Sequence, residues 1–74
     1  MNASEWIEAF ARELAADPPS EEEIGELLEL AAAAAHASER IAAPIACFMA
    51  GRDGRPVAEL RAAADRVTPT DASA

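Results

Sequence analysis

The sequence predicts an all-α protein, a bundle of three longer helices and one short helix with a helix break at Pro44. Two observations carry that expectation. Asp17-Pro18-Pro19, Pro44, the stretch 51–54 and Thr68-Pro69 cut the chain into four pieces of helical composition, with no strand expected. Inside the pieces, apolar residues recur every three or four positions. In residues 4–16, Trp6, Ile7, Phe10 and Leu14 form one such stripe. The second piece opens with Ser20-Glu21-Glu22-Glu23, where Ser20 can cap the amide of Glu23 and Glu23 can reach back. Three carboxylates in that first turn also suit the helix dipole. Continued to Ala42, this piece is a helix of roughly 33 Å at 1.5 Å per residue, long enough to be the spine of the fold. Projected at 100° per residue, it places Ile24, Leu28, Ala31, Ala35, Ser38 and Ile41 on an inward face with Leu27 beside it. Glu22, Glu26, Glu29, Ala33, His36 and Arg40 fall opposite, and a covering helix or a second subunit would enclose His36 and Arg40.

Pro44 cannot sit inside that helix without losing a hydrogen bond and clashing with the preceding turn, yet it fits the first position of a new one. A bend is therefore expected after Ala42 or Ala43. The short helix covers residues 44–50, with Ile45, Phe48 and Met49 plugging the core and Gly51 as left-handed C-cap. Arg52-Asp53-Gly54-Arg55 reads as a turn, and Pro56 starts a last helix with Val57, Leu60, Ala64 and Val67 as apolar positions. Residues 4–67 then form a single helical domain and residues 68–74 a disordered tail.

A chain of 74 residues buries only about 60% of the surface it exposes when unfolded, so stability is modest and a homodimer that shares apolar surface is expected. The core candidates are Trp6, Ile7, Phe10, Leu14, Ile24, Leu27, Leu28, Ile41, Phe48, Leu60 and Val67. A formal charge of −8, from fourteen acidic residues against six arginines, argues against nucleic acid and anionic membranes as partners. The lone Cys47 excludes an internal disulfide and a cysteine-built zinc site, and points to a reducing compartment. With no long apolar run and no basic and apolar leader, the expected location is cytoplasmic.

Few residues suggest chemistry. His36 and Arg40, four apart on a helix, are neighbours that can contact an anion or a nucleotide-type ligand, with Trp6 as a wall. The bland alternative for His36 is a partly exposed histidine near the helix end, and for Arg40 a contact to carbonyls at the break or to a carboxylate. Arg52 and Arg55 flank a turn ahead of a helix start, another arrangement that can hold an anion. His36-x-x-Glu39 reverses the Glu-x-x-His order of di-iron bundles and has no second copy, so no metal is expected. Cys47 lies in an apolar segment that suits a small core residue better than a nucleophile. No catalytic residues and no cofactor are therefore expected. An acyl carrier role is excluded because Ser20 and Ser38 sit in DPPSEEE and HASER, and neither matches an Asp-Ser-Leu attachment motif.

The pattern from Ala35-His36 through Arg40, Ala43-Pro44-Ile45 and Phe48-Met49 to Gly51, preceded by Glu5-Trp6-Ile7, resembles a small actinobacterial domain of unknown function. That family occurs alone or attached to the nucleotidyltransferases that make molybdopterin-guanine dinucleotide. The likeness covers about residues 5–67 and holds the spacing of His36, Arg40, Pro44, Phe48 and Gly51. Ile41 departs from it, standing where a proline is common after the arginine. The resemblance implies an association with molybdenum-cofactor metabolism and carries over no catalytic residue. The sequence-based expectation is thus a non-enzymatic accessory or interaction module whose partner is a cofactor-maturation enzyme or a second copy. The alternative is a small anion-binding protein using His36 and Arg40.

Overall fold

The computed structural model describes residues 1–67; the tail expected at 68–74 lies outside the described residues. Four helices follow in order, α1 (Ala3–Glu13), α2 (Glu21–Ala37), α3 (Ala42–Asp53) and α4 (Val57–Val67), with no strand among the described residues. The all-α expectation holds. The lengths do not divide into three long and one short, because α3 has 12 residues against 11 in α1 and α4, and 17 in α2.

The helix ends follow from local chemistry. Asn2 caps α1 by a reciprocal pair: the Glu5 amide donates to Asn2 Oδ1 at 2.8 Å, and the Asn2 amide donates to Glu5 Oε1 at 2.8 Å. At the other end α1 stops at Glu13, three residues before the expected Ala16. Ala15 takes a left-handed φ of 54°, its amide donates to the Arg12 carbonyl, and the Ala16 amide reaches back to Ala11 at 2.9 Å. That double bond is the Schellman closure, here built on an alanine where glycine is the usual residue. The Ser20 cap of α2 forms as expected, with the Glu23 amide donating to Ser20 Oγ at 3.1 Å and the Ser20 amide to Glu23 Oε1 at 2.9 Å.

The break comes five residues earlier than Ala42. A helix running through Pro44 would press its ring against the Arg40 carbonyl, so the chain leaves the helix upstream. Ser38 ends α2, its hydroxyl and amide both donating to the Ala34 carbonyl at 2.8 and 3.2 Å, and tight turns carry residues 39–43 into α3. Pro44 then occupies the third position of α3, inside the first turn, where no helical donor is missed. Gly51 lies within α3. The left-handed C-cap is Gly54, with φ of 85° and its amide on the Ala50 carbonyl. At the start of α4 the Pro56 carbonyl accepts from the amides of Glu59 and Leu60, so Pro56 precedes the helix instead of opening it.

The central helix α2 packs against both α3 and α4, as a spine should, while residues of α1 and of the first turns of α2 line a shared open cleft. Among the described residues only Ala11, Leu30 and Ala50 are buried. The inward side of α2 is therefore centred on Leu30, at 4% exposure, while Leu28, placed inward by the projection, stands 66% exposed. Most of the remaining core candidates are also open: Trp6, Phe10, Leu14, Ile41, Phe48 and Val67 are all exposed. Ile45, Phe48 and Met49 do not plug the core. The small side chains of Ala46, Cys47 and Ala50 face α2 instead, with Cys47 Sγ 4.0 Å from the Leu27 carbonyl. Small residues let two helix backbones approach closely, and the alanine run of α2 supplies the matching surface. Arg61 joins α4 to α2, with Nη2 3.3 Å from Glu29 and Nη1 2.6 Å from Asp65 one turn along.

Candidate functional site

Among the described residues two exposed apolar surfaces are built differently. The first is a cleft of about 320 Å³ between α1, the 16–19 connection and the start of α2. Ile7, Phe10, Ala11 and Leu14 form one wall, Ile24, Leu27 and Leu28 the other, and Pro18 and Pro19 close one end. The wall on α1 is fixed by the stripe spacing, and the connection is held against it by the Schellman closure at Ala15. Trp6 stacks on Phe10 with ring centroids 5.0 Å apart and extends the apolar surface beyond the cleft.

Charge is distributed unevenly around these surfaces. Residues 1–30 contain nine carboxylates and one arginine, so the whole formal −8 resides there; residues 31–74 hold five of each sign. Asp17 lies in the cleft wall and Glu13 follows Phe10 by three positions, adjacent on the helix surface. The cleft is thus an apolar slot within an acidic half of the molecule. The second surface is an exposed row on α3, Ile41, Ile45, Phe48 and Met49, within an uncharged run from residue 41 to residue 51.

The residues singled out from sequence do not converge on one place. His36 stands exposed in the last turn of α2, and Arg40, also exposed, lies beyond the helix end in the turn before α3. The i, i+4 adjacency expected of them required a helix through Arg40, so it does not arise. Among the described residues no helix covers either side chain. Arg52 places its guanidinium 4.5 Å above the Phe48 ring, a cation–π contact. Arg55 grips Asp53 with Nε on Oδ1 at 2.7 Å and Nη2 on Oδ2 at 3.0 Å, and its amide also donates to Oδ1. The side-chain hydrogen bond from Arg55 holds the Asp53 carboxyl below its ordinary value, and the same bond raises Arg55. Both arginines are thus engaged, Arg52 on the Phe48 ring of α3 and Arg55 on Asp53 within the turn. Among the described residues no three His, Cys, Asp or Glu side chains gather into a metal-holding group, and no helix is long and apolar enough to cross a membrane.

The sequence model of a domain of unknown function, DUF6457, matches residues 1–73, essentially the whole chain. The chain belongs to the DUF6457 family. No curated protein and no solved structure matches this DUF6457 chain. The family assignment bears out the expectation of a domain of unknown function. Sequence reasoning missed the cleft because it assigned Phe10, Leu14 and Leu28 to a closed core. The signal that could have found it is the charge split at residue 30, since an apolar stripe in a strongly acidic half marks a surface as readily as an interior.

Proposed function

We propose that this domain is a non-enzymatic cytoplasmic interaction module whose cleft between α1 and α2 receives the apolar face of a basic amphipathic helix from a partner protein. The observation that carries this reading is the coincidence of an open apolar slot with the half of the chain that holds all its net charge. A helix laid in a groove anchors through apolar residues three or four apart, and lysines or arginines on its flanks would face Glu13 and Asp17. The partner suggested by the sequence resemblance is the nucleotidyltransferase that makes molybdopterin-guanine dinucleotide, and the module would serve it as an accessory.

Trp6 is the only tryptophan and stacks at the edge of the cleft, so its fluorescence reports occupancy. Titration of the chain with the purified nucleotidyltransferase should shift that emission to the blue, with binding that weakens as salt rises. Phe10→Glu and Leu28→Glu, both at exposed positions, should abolish the binding while leaving the helical circular dichroism intact. Absence of binding to the unmodified chain removes this enzyme as the partner. Binding that survives both substitutions removes the cleft as the site.

A further inference from the structure

We infer that the outer face of α3 is where two copies of this chain meet. Ile41, Ile45, Phe48 and Met49 are spaced as one helical row and are between 60% and 74% exposed. On one side of the row an open groove of about 700 Å³ runs between the start of α3 and the end of α2, its lining including Ala34, Glu39, Ile41, Pro44, Ile45 and Met49. Phe48 is not part of that groove and projects beside it, with Arg52 over its ring. Knob and groove therefore lie on the same patch. A two-fold interface needs that arrangement, because each copy must offer both what it inserts and what it receives.

Charge confines a second copy to this face. The chain carries −8, which opposes self-association wherever the acidic half takes part, but residues 41–51 hold no charged side chain and residues 31–74 balance to zero. The α3 face is thus an apolar surface whose flanking charges are of both signs, Glu39 at the groove and Arg52 over Phe48, so two identical chains can approach there without the net repulsion of the acidic half. Area is consistent with a weak dimer. At about 200 Å² for a fully exposed side chain of this size, the four residues offer roughly 500 Å² per copy. With Ala42, Pro44 and the Arg52 stem at the margins, the pair reaches about 1,200 Å², the lower end of specific interfaces.

Sedimentation equilibrium of the full chain from about 1 to about 500 µM tests this. The expected result is a rise from 7.7 kDa to twice that mass, with tighter association at high salt as the repulsion between acidic halves is screened. Ile45→Glu and Phe48→Lys should each keep the chain monomeric across the range with unchanged helical circular dichroism, while Phe10→Glu, on the other surface, should dimerise as the parent does. A chain that stays monomeric at every concentration overturns the inference. So does a dimer abolished by Phe10→Glu and untouched by the α3 substitutions, or one that weakens as salt rises. None of these outcomes depends on whether the α1–α2 cleft binds its partner.

Discussion

Leu30→Ala should cost far more than Leu28→Ala, although the two leucines are two residues apart on one helix. Leu30 is 4% exposed at the junction of α2 with α3 and α4, so truncation loses nearly the whole side-chain burial and leaves a gap. Leucine-to-alanine changes in cores cost about 2–5 kcal/mol. Open grooves flank Leu30, so water and neighbouring side chains can relax into the space, which places the expected cost at about 2–3 kcal/mol. Leu28 is 66% exposed and retains a third of its burial, so its loss should amount to less than about 1 kcal/mol of the 1.5–3 kcal/mol of full burial. For a domain of this size each kcal/mol moves the melting temperature by about 4–8 °C, which gives a fall of roughly 10–25 °C for Leu30→Ala. A domain of 74 residues has about 4–11 kcal/mol in total, so that single change removes a large share of it. The assay is thermal melting followed at 222 nm, at a protein concentration low enough for the monomer to dominate. Equal losses for the two variants, or a larger one for Leu28, would refute the placement of the core.

The backbone makes further predictions. Ala15→Gly should stabilise the fold by about 1 kcal/mol, because alanine is held at a left-handed φ of 54°, whereas Gly54→Ala should destabilise it by about 1–2 kcal/mol at φ of 85°. Urea midpoints of the two variants should therefore move in opposite directions. Gly51→Ala should raise stability by about 0.4–1 kcal/mol, since the residue is helical and a Cβ there meets no atom within 4 Å; a loss comparable to that of Gly54→Ala would return the C-cap to Gly51. Ser20→Ala removes the reciprocal cap of α2 and should cost about 1 kcal/mol, measured in the same denaturation series. Carboxyl carbon resonances should show Asp53 titrating below an ordinary aspartate and returning to it in Arg55→Met. Because the folded value is the lower one, the contribution of that contact is present above the ordinary aspartate range and fades as pH falls through the folded value.

How much of the molecule is legible in its sequence depends on which force sets each feature. Helix identity and the Ser20 cap are local, written in residues three or four apart, and both appear as the sequence predicts. The Asn2-x-x-Glu5 cap of α1 is equally local and could have been read the same way. Helix ends are less legible where two local rules compete. Pro44 tolerates any register that keeps it in a first turn, so it fixes that a break occurs and not where; the Ser38 hydroxyl, bonded back to Ala34, settles the position. That choice has a functional consequence, because ending α2 at Ala37 puts Arg40 outside the helix that bears His36, so helical i, i+4 spacing does not set their adjacency.

Faces are the least legible feature, since they are decided by partners distant in the sequence. From residue 41 to residue 51 every side chain is uncharged, so amphipathic periodicity gives no inward direction for α3. Large residues would seem the natural core, yet close approach to the alanine run of α2 favours Ala46, Cys47 and Ala50 and turns Ile45, Phe48 and Met49 outward. The same logic buries Leu30 and frees Leu28. A chain this short cannot cover both flanks of its central helix, and what it leaves open is divided by charge into an acidic cleft and a neutral ridge. That division assigns opposite salt responses to the two surfaces. Salt should weaken the capture of a basic helix by the cleft and strengthen the pairing of two ridges, so one ionic-strength series, read by Trp6 emission and by sedimentation, separates them. If both respond in the same direction, charge does not distinguish the surfaces and the division fails.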